Sequence, residues 1–310
     1  MSRNELNVLF SSDNHYAQHL GAAMQSLLEN NPDFTVIRIY VIDNEISDLS
    51  KEKLCSIASK YSNAAIFWIS FEKWKSQLQL NMTWSISISS YARLFVAEMI
   101  PDDIDRVLYL DCDMIVCDSL QNLWDTDLRG CVLGAVQDSI GNRTKNAVGL
   151  LPEEQYFNAG MLLIDLAKWR ELDVGTKCFH FIEGKKGSVV HHDQGVLNGV
   201  LRNQWFRLPL CDNLMTIHFI FNRRRVIEYF GEHADFYSEN DIVNAKEHPV
   251  VMHYTPSFTS RPWCKDCKHP LKALYWENLN KTPWKGAKPE KSKDKWYVKL
   301  INWRYRNLPF

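Results

Sequence analysis

No apolar run in this chain approaches the roughly 20 residues needed to span a bilayer, so no transmembrane helix is predicted. Residues 1–5 are polar and the apolar stretch 6–10 is too short for a leader's core, so a secretion signal is not expected either. The eight cysteines are scattered without a pairing pattern, which argues against a disulfide scaffold and suits a reducing cytoplasm. No internal repeat occurs, and the one biased stretch is the segment 282–295, rich in Lys, Pro and Gly, which reads as a linker. The net charge of −1 favours no class of partner.

The 310 residues can bury a sizeable core and fit one large domain with an appendage better than two full domains. A hydrophobic fraction of 45% and a charged fraction of 24% are ordinary for a globular enzyme. Charge is unevenly placed. Residues 281–310 hold nine Lys and Arg against two acids, a local +7, so the rest of the chain carries −8. That tail mixes basic residues with Trp296, Tyr297, Trp303 and aliphatics, which suits a segment lying on an anionic membrane surface. The body shows no basic stripe, which excludes nucleic acid as a partner.

Apolar stretches at 6–10, 36–42, 64–69 and 107–110 alternate with helical patterns at 17–30, 50–61 (Ser50 as its N-cap) and 89–99. This order predicts an α/β fold with a doubly wound, mainly parallel sheet. Beyond residue 131 the order is less regular, with strands expected at 161–164 and 250–252 and helices at 194–202 and 271–279. Ligands of such sheets bind beyond the carboxyl ends of the strands, which points to residues 11–13 and 111–113.

The sharpest local signal is the apolar run before Asp111-Cys112-Asp113. Acids at i and i+2 of an extended chain face one side, and two adjacent carboxylates repel unless a cation stands between them. A divalent metal bridging a diphosphate resolves that conflict. The same string also resembles the start of the haloacid-dehalogenase phosphatases, with the first acid as nucleophile and the second as acid/base. Those enzymes carry it near the chain start, whereas here it lies a third of the way in. His253, after an apolar run, would complete a mixed oxygen and nitrogen site that favours Mn²⁺. Taken alone, it reads first as a hydrogen-bonded core histidine. Arg261, before Pro262-Trp263, can grip a phosphate with two hydrogen bonds or sit on the surface. Asp193 reads first as a helix cap, and the small residues of Phe157-Asn158-Ala159-Gly160 allow close backbone approach to a ligand. Cys264, Cys267 and His269 supply three of the four ligands a structural zinc site needs, and no second pair is evident.

Taken in order, these pieces resemble glycosyltransferase family 8, which includes bacterial lipooligosaccharide galactosyltransferases, lipopolysaccharide glucosyltransferases and eukaryotic glycogenin. The likeness runs from Asn7 to Trp263. It takes in Ser12-Asp13-Asn14-His15-Tyr16, Ser90-Tyr91-Ala92-Arg93-Leu94, Tyr109 to Asp113, Leu123-Trp124-Asp125, Phe157 to Gly160, Asp193-Gln194 to Asn198, and His253-Tyr254 through Trp263. The resemblance implies a GT-A fold, a UDP-glucose or UDP-galactose donor, Mn²⁺ or in its place Mg²⁺, and transfer with retention to a glycan or glycolipid. Residues 1–280 would then be the catalytic domain, with its nucleotide-sugar half ending near 130, and 281–310 a tail peripheral to the inner membrane face.

Carried over by motif, Asp111, Asp113 and His253 would hold the metal, and Asp13 and Tyr16 would meet the uracil and ribose. Arg93 would lie near the diphosphate, joined by Cys112, Ala159 and Arg261. Asn158, Asp193 and Gln194 would face the sugar. Gln194 occupies the place where a nucleophile would be sought, and an amide is a poor one, so a front-face mechanism is expected. The family's closing motif usually has Lys where this chain has Arg261, and its loop from His253 is longer, with Pro256 near the usual Gly. A phosphatase, or a UDP-sugar sensor without turnover, is the alternative.

Overall fold

The computed structural model describes residues 4–75, 88–292 and 296–307, with backbone alone at 73, 75, 88–90 and 305–307. Strands β1 (Glu5–Asp13), β2 (Val36–Asn44) and β3 (Ala64–Ser70) pair in parallel, joined by helices Ala17–Glu29 and Asp48–Ala58. β4 (Arg106–Leu110) lies parallel to β1 on its other side. β5 (Met114–Val116) follows at once, then β6 (Leu133–Ala135), β7 (Met161–Asp165), β8 (Trp205–Arg207), β9 (Leu214–Met215) and β10 (Val251–His253).

Seven strands form one sheet in the order β3-β2-β1-β4-β7-β6-β8. It is parallel in its first half, whereas β7 runs antiparallel to both neighbours, so the sheet is mixed. A small second sheet, β5-β10-β9, packs beside it. Along β1, Leu6, Val8 and Phe10 enter one buried cluster with helix Ala17–Glu29, while Leu9 enters the other beneath Tyr109 and Trp169. The sheet is thus covered on both faces, as its near-continuous apolar strands require.

Three local expectations differ. Ser47, not Ser50, caps the second helix: its Oγ accepts the Ser50 N–H at 3.3 Å. The expected helix at 89–99 is a 3-10 helix, Ile88–Phe95, followed by one α-turn, Val96–Met99. Tyr91 to Ala97 are all buried between the sheet and a later helix, and 3-10 turns of this kind are common where an α-helix begins. The later helix runs His192–Val200, so Asp193 lies inside its first turn and not at its cap. The helices Lys272–Leu279 and Ala17–Glu29 pack together, and Trp284 of the lysine-rich stretch lies over Gly21. A final helix, Trp296–Asn307, exposes Trp296, Leu300 and Trp303. Of the tail, 293–295 and 308–310 lie outside the described residues, and no helix among the described ones is long and apolar enough to cross a membrane.

Candidate active site

Two strand pairings assemble the site. β4 ends at Leu110, opposite Met161 of β7, so Asp111 follows directly beside Gly160, whose carbonyl accepts the Asp111 N–H at 2.8 Å. Asp111 and Asp113 occupy the turn between β4 and β5, not an extended strand. Cys112 still points away from the cavity, its thiol donating to the Ser11 carbonyl at 3.3 Å. β10 then pairs with β5 so that His253 stands opposite Met114, next to Asp113. β9 pairs with β10 so that His253 also faces Met215, which brings Asn213 beneath its ring.

The ligand atoms of Asp111, Asp113 and His253 all lie within 4.8 Å of one another. His253 Nδ1 meets Asn213 Oδ1 at 3.0 Å. The Asn213 amide itself donates to Asn158 Oδ1 at 2.9 Å, so its oxygen is the atom turned to the imidazole. Nδ1 therefore carries the proton, and the Nε2 lone pair faces Asp113 Oδ1 at 3.4 Å. Burial pushes His253 down to about 4 against the pull of Asp111 and Asp138, so the ring is a neutral donor near pH 7. Two carboxylate oxygens and one imidazole nitrogen suit a Mn²⁺- or Mg²⁺-like ion. No other such group of three occurs among the described residues, and Cys264, Cys267 and His269 do not form one. Gly160 makes the approach feasible, since a Cβ there would overlap the His253 ring and stand 2.9 Å from Met114 Cε.

Arg93 ties the second half of the site together. Its Nη2 contacts Asp111 Oδ1 at 2.7 Å, its Nε contacts Asp193 Oδ2 at 2.9 Å, and Nη1 donates to the Ala159 carbonyl. The guanidinium lies 4.1 Å over the Tyr109 ring, whose hydroxyl donates to Asp111 at 2.8 Å. Burial works against the Arg93 charge, and Asp111 and Asp193 outweigh it, raising its pKa. Gln194 Oε1 accepts from Ala159 N at 3.0 Å and from Asn158 Nδ2 at 3.3 Å, while its Nε2 donates to Asp138 Oδ2 at 3.0 Å. Arg261 pairs with Asp113 and donates to the Tyr254 carbonyl.

These side chains line a cavity of about 920 Å³. Asp111, Asp113, His253, Arg93, Asn158, Ala159, Asp193, Gln194 and Arg261 are all on its wall. Asp13, Tyr16 and Cys112 are not. Asp13 Oδ1 accepts the Tyr16 N–H at 3.0 Å at the end of β1, and Tyr16 stands edge-on to Trp263 at 6.1 Å. Two residues escaped the sequence reading. Asp138 lies just beyond β6, where the strand-end rule would have found it had a three-residue strand been visible. Asn213 carries no local signal, because its role exists only through the β9–β10 pairing.

The model of glycosyl transferase family 8 matches residues 7–267. General stress protein A of Bacillus subtilis (strain 168) is 27% identical over 283 residues, covering 90% of this chain and 94% of its own. The lipopolysaccharide 1,2-glucosyltransferase of Escherichia coli (strain K12) is 27% identical over 307 residues, covering 98% and 85%. Among solved structures, the galactosyltransferase LgtC in complex with donor and acceptor sugar analogs superposes with a TM-score of 0.76 at 31% identity, covering 95% of this chain and all of that one. The α/β architecture is thus the GT-A fold of LgtC, and with the family model spanning most of its length the chain belongs to glycosyl transferase family 8.

Proposed function

We propose that the chain transfers a hexose from UDP-glucose or UDP-galactose, with retention, to a glycan or glycolipid of the cell surface. The observation that carries this reading is the convergence of Asp111, Asp113 and His253 within 4.8 Å on the wall of a cavity large enough for a nucleotide sugar and part of an acceptor. The three side chains would hold Mn²⁺, or Mg²⁺ in its place. Such an ion, when bound, offsets negative charge building on a departing diphosphate. A lipopolysaccharide glucosyltransferase and a galactosyltransferase among the similar proteins support a hexose donor.

The protein's own groups favour front-face chemistry. A double displacement needs a free nucleophile beneath the sugar. Gln194 Oε1 already accepts two N–H groups, and Asp193 is paired to buried Arg93. Asp138 accepts from Gln194 and Asn158 through Oδ2 and from the Ser139 N–H through Oδ1. Each carboxylate on the cavity wall is thus engaged. Their work is to orient the sugar and shield positive charge at its anomeric carbon. The acceptor's proton then passes to the departing diphosphate oxygen. Arg93 stays with Asp111 and Asp193, and Arg261 would reach the phosphates. Asp13 and Tyr16 would meet the nucleoside, beside Cys112. The final helix would rest on the inner membrane surface.

The reading is tested by hydrolysis and transfer assays with UDP-glucose and UDP-galactose, with and without Mn²⁺. Asp111→Asn and Asp113→Asn should each lose at least about a hundredfold of the Mn²⁺-dependent rate with circular dichroism unchanged. Full activity in either variant discards the cation assignment. The phosphatase alternative requires phosphate release from phosphomonoesters without any response to UDP, and a sensor binds UDP-sugar without turnover.

A further inference from the structure

The cavity has two unlike walls. The first carries the acids, Arg93 and the carboxamides described above. The second is aromatic, with Tyr229, Phe230 and Phe258 on its surface. Their rings form one packed group: Tyr229 meets Phe230 at 4.8 Å and Phe258 at 6.0 Å, and Phe221 supports Phe258 from below at 5.0 Å. Phe221 is 2% exposed whereas Tyr229 is 46% exposed, so the group is rooted in the core and open at the cavity.

Two features hold this surface in place. Helix Arg223–Phe230 ends at Gly231, whose φ of 71° belongs to the left-handed region, and buried Glu232 follows. Glu232 accepts the Ile140 N–H at 3.0 Å and Gln137 Nε2 at 3.2 Å, and faces Lys145 Nζ at 3.6 Å. The aromatic helix is therefore bolted to the segment that carries Asp138. Phe258 lies on the loop between His253 and Arg261 with φ 56°, a conformation that is costly for a bulky side chain and collects at functional sites. That loop is the one longer than the family resemblance leads one to expect.

A pyranose has polar edges and at least one face made of C–H bonds. The polar wall matches a nucleotide sugar, which leaves the aromatic wall for a second sugar. We propose that the exposed Tyr229 ring is the platform on which the acceptor, a hexopyranoside, stacks its C–H face, with Phe258, whose ring stands at 80° to it, flanking the sugar. The assignment rests on the transferase reading and adds the acceptor's side of the site. It makes these two rings determinants of acceptor specificity: they select pyranosides with an unbroken C–H face and leave the choice of donor untouched.

The test is saturation-transfer NMR with methyl β-galactopyranoside and methyl β-glucopyranoside, on the full chain with UDP and Mn²⁺. Saturation should reach the ring C–H protons of at least one glycoside. Tyr229→Ala should weaken that binding about three- to tenfold, whereas Tyr229→Phe, which keeps the ring, should stay within about twofold. UDP-sugar hydrolysis should be unchanged in both. The platform is overturned if neither glycoside binds the wild-type protein, if Tyr229→Ala binds as well as wild type, or if hydrolysis falls while glycoside binding holds. Failure of the transferase reading shows separately, as a wild-type protein that binds the glycoside and hydrolyses no UDP-sugar.

Discussion

The Nδ1–H of His253 donates to Asn213 Oδ1 across 3.0 Å, and that bond turns the Nε2 lone pair toward Asp113. A residue 40 positions away thus decides which nitrogen is available to a cation. Partners of this kind commonly contribute tenfold or more to metal affinity.

Asn213→Ala should accordingly weaken Mn²⁺ binding about ten- to a hundredfold, measured by electron paramagnetic resonance without nucleotide. Far-ultraviolet circular dichroism should be unchanged. Wild-type affinity in this variant would show that the imidazole needs no partner to be oriented.

Asp138 holds two amides at once, Gln194 Nε2 and Asn158 Nδ2, each at 3.0 Å. Asp138→Ala removes the acceptor shared by the two NH2 groups and loosens both amides, which stay held through Gln194 Oε1 and Asn158 Oδ1. Initial-rate kinetics should show kcat falling about ten- to a hundredfold, with KM for the UDP-sugar within about threefold. A change confined to KM would make Asp138 a donor-binding residue only.

Burial pushes the Asp212 carboxyl up to about 7. The folded protein then holds a proton that the unfolded chain releases near pH 4, so this group's contribution to stability is present at low pH and is lost as pH rises toward 7. Asp212→Asn removes that slope. Chemical denaturation at pH 5 and pH 8 should show the variant gaining about 2–3 kcal/mol on wild type over the interval. Parallel pH profiles would mean that Asp212 titrates normally.

The helix Trp296–Asn307 exposes Trp296, Leu300 and Trp303 alongside basic residues, and Lys299 Nζ reaches Asp266 at 2.9 Å. Deleting residues 293–310 should lower affinity for phosphatidylglycerol vesicles about tenfold or more, with UDP-sugar hydrolysis intact. Equal binding by the truncated and full chains in flotation assays would rule out the helix as a membrane contact.

Much of the fold was legible because long strands and helices advertise their periods. The strand stretches 36–42 and 64–69 appear as β2 and β3 within a residue or two of their observed ends. The short elements were not. β5, β6 and β9 have three, three and two residues, too few to show alternation, yet β5 and β9 are what set His253 beside Asp113 and Asn213. The local sequence suggests a cap at Asp193 because nothing near it announces Arg93, a hundred residues earlier in the chain, as its partner.

The sequence by itself determined the α/β class, the two acids after an apolar strand and the family, since each is carried by local pattern or by motifs in fixed order. Only the tertiary structure decided which side chains meet: the imidazole with the acids, Arg93 between Asp111 and Asp193, and a packed aromatic group on the same cavity as the polar residues. The reason is physical. Periodicity is a property of neighbours along the chain, whereas ligand geometry, tautomer and pKa depend on groups that strand register and burial bring together from far apart.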